Sequence, residues 1–253
     1  MLEATFFPSW SYFFLAGGIV FFSQFLYATL GFGGGMFAIS LLTLLLGQLE
    51  LLVPFFLLVC LPTECCICFT ERKHIHPLIF TRLLLLLFPA VLVGAFLLRK
   101  PDNALMNIML GLVIMVLSVY YLFFEDKMSW SLHHPGWLYL FGSVAGFMGG
   151  LFGMAGAPLI FYFKTIGLNK RAFRVALISV FLVLALYKVA AYCVFSLFTP
   201  EVLTSALLIL PFALAGMEIG SWLHHKLPEQ KFKRITSAVL FACGLLIVIK
   251  QLG

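Results

Sequence analysis

Three charged residues fall within long apolar segments, where a charge is costly and usually marks a transport pathway or a buried pair. They are Glu64, Lys188 and Glu218. A lysine in this setting could attract an anion, and a glutamate could carry a proton. Glu64 and Lys188 could equally form a structural ion pair, and both interpretations remain open here. Glu218 lies near the end of its segment, so we expect it to reach the membrane interface.

Two glycine-rich segments, GFGGG at 31–35 and GGLFGMAG at 149–156, are the second candidates for chemistry. Runs of glycine interrupt a helix and let the backbone approach a ligand, and a helix that restarts there presents free N–H groups and a positive dipole end. Such a site suits an anion. Close helix packing through small residues is the alternative. The candidate substrate-binding residues are Lys188 and six glycines: Gly31, Gly33, Gly34, Gly35, Gly153 and Gly156.

Cys65 and Cys68 form a CxxC pattern, which in other settings indicates redox or metal chemistry. No second pair and no nearby histidine completes a metal site, so we predict no metal and no cofactor. The six cysteines all lie in apolar segments, which excludes a secreted disulfide framework. Small apolar filler is the favoured role for these cysteines. The sequence also contains no GxxxxGK[ST] nucleotide-binding motif.

The composition requires a lipid environment, because 63% of the residues are hydrophobic and only 10% are charged. A membrane-crossing helix needs about 20 mostly apolar residues. The long runs lack the alternation of barrel strands, so they predict an all-α polytopic membrane protein. The apolar segments are 12–30, 36–49, 51–70, 83–98, 104–124, 137–163, 175–198, 202–222 and 235–249. No linker separates the halves, so we expect a single domain over 1–253.

An internal repeat appears when each residue is compared with the residue 122 positions later. The matched pairs are Gly31 with Gly153, Gly34 with Gly156, Pro89 with Pro211, and Gly94 with Gly216. This pattern predicts two repeats, 8–124 and 136–253, with about five transmembrane segments each. An odd number of segments inverts the second copy in the membrane. The segment 137–163 is too short for two full crossings, so it predicts glycine-broken half-helices or a re-entrant hairpin.

The net charge of +6 does not indicate nucleic-acid binding in this context, and we expect none. Most lysines and arginines fall in loops on one side of the predicted topology, where the positive-inside rule accounts for them. That side is predicted to be cytoplasmic, which places both termini on the outer face.

The GFGGG segment, its echo GLFGMAGAP at 150–158, the basic turn at 169–171 and the two-half architecture together resemble the TauE/SafE sulfite exporter family. Members are also called toluene sulfonate uptake permeases. The resemblance implies a bacterial inner-membrane, multi-pass permease for sulfite, thiosulfate or an organosulfonate, and no enzymatic activity. Alternating access is the expected mechanism, with lipid as the environment and protons as a candidate coupling ion.

Two other classes of protein compete with a transporter. The first is a membrane-embedded sulfur-relay or redox protein that uses Cys65 and Cys68. The second is a noncatalytic assembly subunit, which fits the hydropathy but leaves the matched glycine segments and the buried charges unexplained.

Overall fold

The computed structural model describes residues 4–30, 33–71, 77–99, 103–123, 136–165, 170–223 and 229–252. These residues form ten helices and no strand, which confirms the all-α prediction. The helices are α1 (Trp10–Leu30), α2 (Gly34–Leu46), α3 (Leu49–Glu71), α4 (Pro77–Leu98), α5 (Asn103–Phe123), α6 (Gly136–Phe152), α7 (Gly156–Thr165), α8 (Lys170–Val194), α9 (Pro200–Leu223) and α10 (Glu229–Leu252).

Three of the described helices are long and apolar enough to cross a bilayer, as judged by length and composition: Trp10–Thr29, Leu49–Cys66 and Pro200–Leu223. Shorter apolar stretches occupy most of the others. Large apolar side chains point outward, including Leu85, Leu207 and Trp222. Such an exterior suits lipid and would be unfavourable in water.

The most extensive helix contacts join α1 to α9, α4 to α6, and α5 to α10. Glycines allow these helices to approach backbone to backbone. A Cβ on Gly94 would lie 2.5 Å from the Phe147 carbonyl oxygen, and one on Gly216 would collide with the Phe21 carbonyl. The matched pair Gly94 and Gly216 therefore serves close packing, at the α4–α6 contact and the α1–α9 contact respectively.

Both predicted helix breaks are present. Helix α1 ends at Leu30 and α2 begins at Gly34, whereas α6 ends at Phe152 and α7 begins at Gly156. The φ angles of Gly33 (+84°) and Gly153 (+70°) are left-handed, a conformation that glycine adopts without steric cost.

The breaks are narrower than the glycine runs suggested, because Gly34 and Gly35 already belong to the first turn of α2. Helix α7, with 10 residues, is about 15 Å long and fits the predicted half-helix. Helix α6 has 17 residues, about 25 Å, which is longer than half a crossing. Helix α7 thus has the length of a half-helix and α6 is longer, and the division of this segment into half-helices or a re-entrant hairpin stays a prediction.

Some of the basic residues that carried the topology prediction lie outside the described residues, at 72–76, 124–135 and 224–228, and the others lie near the ends of α4, α7, α8 and α10. Glu218 is exposed on α9, as expected for a residue that reaches an interface.

Candidate functional site

A cavity of about 80 Å³ lies between the two helix breaks, with room for a few water molecules or one small ion. It is surrounded by the two breaks, the first turns of the helices that follow them, the facing sides of α3 and α8, and side chains of α1 and α5. Its polar and glycine lining comprises Gln24, Tyr27, Gly33, Gly35, Cys60, Glu64, Gly153, Gly156 and Lys188. Apolar side chains such as Phe56, Phe181 and Leu184 complete the walls.

Two helix N-termini contribute backbone to this cavity. Gly35 and Met36 line it from the first turn of α2, and Gly156 and Ala157 line it from the first turn of α7. The first N–H groups of any α-helix lack acceptors within the helix, and the positive dipole end coincides with them. Two such ends at one small cavity favour a negatively charged ligand.

Lys188 of α8 and Glu64 of α3 face the same cavity, and each side chain is only 8% exposed. Their charges are close enough to interact electrostatically. Oε2 of Glu64 nevertheless has no hydrogen-bond partner among the described residues. The two charges that the sequence singled out are thus at one site, and one carboxylate oxygen remains unpaired there.

Gln24 of α1, which was not among the residues predicted from sequence, is 1% exposed and lines the cavity. Its Nε2 lies 3.0 Å from the sulfur of Cys60, and its Oε1 lies 3.0 Å from the hydroxyl of Thr63. The Thr63 hydroxyl is also 2.6 Å from the Cys60 carbonyl oxygen, so its single hydrogen is shared between two acceptors. Gln24 was detectable as a polar residue within an apolar helix.

The predicted glycines divide into two groups. Gly33, Gly35, Gly153 and Gly156 line the cavity. Gly34 instead packs against α1, where an added Cβ would lie 2.6 Å from the Ser23 carbonyl oxygen and 2.9 Å from Cβ of Tyr27. Gly31 lies outside the described residues.

Hydrogen bonds hold the backbone at both breaks. The Ser23 hydroxyl donates to the Gly34 carbonyl at 2.7 Å, and the Tyr192 hydroxyl donates to the Gly150 carbonyl at 2.8 Å. Both donors are fully buried. The positions of the breaks are therefore fixed by side chains from packed helices as well as by glycine.

The cysteines offer little support for a relay. Cys60 lines the cavity, whereas Cys65 is half-buried on α3 outside the cavity lining. The side chain of Cys68 lies outside the described residues. Among those that are described, no group of three or more His, Cys, Asp or Glu side chains could hold a metal.

An all-helical bundle with an apolar exterior and a small, buried, partly polar cavity defines a helical membrane protein. The sequence matches the profile of the sulfite exporter TauE/SafE family over residues 16–247. The chain therefore belongs to the TauE/SafE family, whose members are transporters and not enzymes. Searches against curated proteins and against solved structures find no significant match.

Proposed function

We propose that the protein is a secondary transporter that moves a small sulfur-containing anion by alternating access. One observation carries the proposal: two helix N-termini and a buried lysine line the same cavity. Family membership supports a sulfur anion as cargo. The size of the cavity favours a small oxyanion, such as sulfite or thiosulfate, or a short organosulfonate.

In the proposed binding mode, Lys188 supplies the positive charge and the first turns of α2 and α7 supply N–H donors. Gly33, Gly35, Gly153 and Gly156 keep the cavity free of side chains, so the backbone can reach the anion. The amide of Gln24 adds one further polar group. Charge-assisted hydrogen bonds of this kind are about twice as strong as neutral ones, which suits an anion that must leave water.

Glu64 is assigned to coupling. When the cavity is empty, the carboxylate of Glu64 balances the charge of Lys188. Substrate must then compete with Glu64 for the lysine. Protonation of Glu64 would release Lys188 to the anion, so proton and anion binding would be coupled. The position of Glu64 on the cavity wall, within electrostatic range of Lys188, supports this role.

The proposed single domain contains two inverted repeats, 8–124 and 136–253. The ends of α1 and α6, at Leu30 and Phe152, are 122 residues apart, as are the starts of α2 and α7 at Gly34 and Gly156. Helix contacts are also paired, since α1 packs on α9 as α6 packs on α4. These matches support an internal duplication, and rocking of one repeat against the other would expose the cavity to alternate sides.

The proposed location is the bacterial inner membrane, with the helices crossing it several times and both termini on the outer face. The apolar helix exteriors support a bilayer environment. An odd number of segments in each repeat, together with the positive-inside rule, leads to this orientation.

Uptake into proteoliposomes tests the proposed function. The purified full-length protein is expected to accumulate labelled sulfite, thiosulfate or methanesulfonate in vesicles with an imposed proton gradient. Vesicles without protein provide the background, and labelled glucose of similar specific activity provides a neutral cargo. Equal uptake with and without protein, for all three anions, would exclude the proposed function.

A further inference from the structure

Four ionisable side chains occur among the described residues that line the cavity: Tyr27 from α1, Cys60 and Glu64 from α3, and Lys188 from α8. The lining parts of α2, α5 and α7 contribute only glycine, alanine and apolar side chains. A phenol and a thiol are ordinarily neutral near pH 7. The net charge of the cavity is therefore set by Glu64, Lys188 and the bound ion.

Because the cavity is buried, its net charge strongly affects the free energy of the protein. Glu64 and Lys188 are each more than nine-tenths buried, so little water is available to stabilise an unbalanced charge. Within a membrane such a charge is costly, and side chains there usually occur in balanced sets. The protein should therefore change between its two orientations much more readily when the cavity is neutral than when it carries a net charge.

Charge balance selects the cargo. The empty cavity, with Lys188 positive and Glu64 negative, has no net charge. A singly charged anion lowers the total by one, and one proton on the Glu64 carboxylate restores neutrality. A doubly charged anion with the same proton leaves one negative charge uncompensated.

We propose that the site carries one proton with each singly charged sulfur anion, so that net transport moves no charge across the membrane. This inference rests on the proposed transport function. It favours hydrogensulfite and sulfonate monoanions over dianions such as thiosulfate. The proton enters from the aqueous side with the anion, forms an O–H bond on Glu64, and leaves with the anion on the opposite side.

The wild-type protein in proteoliposomes provides the first test, in sodium-free buffer with labelled methanesulfonate, which has a single charge at all working pH values. Potassium gradients with valinomycin set the voltage, and buffers set the pH difference. Accumulation is expected to change about tenfold per unit of pH difference. It should not respond to voltage, whereas transport of one uncompensated charge would shift accumulation about 50-fold per 100 mV. A shift of that size would overturn the inference.

Competition between anions gives the second test. Unlabelled hydrogensulfite should inhibit methanesulfonate uptake at a concentration at least tenfold lower than thiosulfate does. Stronger inhibition by thiosulfate, with thiosulfate itself transported, would contradict the preference for a single charge.

Glu64→Gln tests the assignment of the proton. The variant should lose accumulation driven by a pH difference, yet still exchange labelled for unlabelled methanesulfonate, because its loaded forms remain neutral. Glu218→Gln, an exposed position on α9, is the matched control and should behave as wild type. Accumulation driven by pH in Glu64→Gln would remove Glu64 from the mechanism.

The outcomes separate the two proposals. If no sulfur anion is transported by wild type, the transport function fails and this inference fails with it. If anions are transported but voltage drives their accumulation, the transport function stands and only the charge balance is wrong.

Discussion

The two halves of the chain share a backbone plan but differ in the side chains that they place at the cavity. Each half has a break followed by a helix whose N-terminus faces the cavity, with 122 residues between corresponding helix boundaries. The first half adds Gln24, Cys60 and Glu64, whereas the second half adds Lys188 among apolar residues. The helix N-termini at the cavity are therefore duplicated, and the charged groups are not.

The difference separates two requirements of a transporter. The proposed rocking between two orientations would need halves of similar shape, for which matched glycines and helix boundaries are suited. The proposed binding and coupling would need an uneven distribution of charge, which one lysine opposite one glutamate would provide.

The largest effect is expected in a test of the proposed inversion, because a topology reporter is active on one side of the membrane and inactive on the other. A reporter fused after Gly253 should be active only if it is of the periplasmic type. The same reporter placed in loop 124–135, between the two proposed repeats, should be inactive, because five segments take the chain to the opposite side of the membrane. On the proposed topology that loop is cytoplasmic, so a cytoplasmic-type reporter there should be active instead.

A cytoplasmic signal at the C-terminus would show that the halves are not inverted copies with five crossings each. The comparison of the two halves would then lose its geometric basis, although the cavity and its lining would remain.

Lys188→Met should have the next largest effect. Methionine fits the space but removes the charge, and breaking a buried charged interaction costs about 3–5 kcal/mol. We expect affinity for methanesulfonate to fall at least about 100-fold, measured by isothermal titration of the purified protein. Lys250→Met is the control, because Lys250 is exposed and donates to the Leu44 carbonyl far from the cavity lining. Unchanged affinity in Lys188→Met would make the lysine structural.

Gly34→Ala and Gly35→Ala form a pair of adjacent substitutions with opposite expected effects. A Cβ at Gly34 would press on α1, so its variant should lose about 1–3 kcal/mol of stability, seen as a lower melting temperature in detergent. A Cβ at Gly35 would lie 3.4 Å from the Gly153 carbonyl oxygen and 3.5 Å from the Phe56 ring, which is tolerable. Gly35→Ala should therefore keep its stability and reduce anion affinity.

The reverse pattern, with Gly34→Ala stable and Gly35→Ala unfolded, would show that the cavity is lined by a different face of α2. Equal loss of stability in both variants would reduce the first break to a packing feature.

Much of this arrangement was predictable from the sequence, for identifiable physical reasons. Long apolar runs determine a helical membrane fold, and charges within them stand out because lipid penalises them. The break near Gly153 was visible because the segment is too short for two crossings. Gly34 could not be distinguished from Gly35, because which one faces α1 depends on helix packing. Gln24 was visible in the sequence as a polar residue in an apolar helix, but only the tertiary fold places it opposite Cys60 and Thr63.

The smallest effects should come from cysteine, and they decide between a transporter and a sulfur relay. Cys65→Ala combined with Cys68→Ala should change methanesulfonate uptake by less than about twofold, because Cys65 does not line the cavity and alanine is a small apolar replacement. Cys60→Ala should weaken affinity somewhat more, about 2–10-fold, because it removes a hydrogen-bond partner of the Gln24 amide. A sulfur relay predicts the opposite order of effects, because sulfur transfer would require the thiols of Cys65 and Cys68 and would tolerate the loss of the Cys60 side chain from the cavity wall. Complete loss of activity in the Cys65 and Cys68 double variant, with Cys60→Ala unaffected, would favour the relay, because small apolar packing cannot explain a requirement for both thiols.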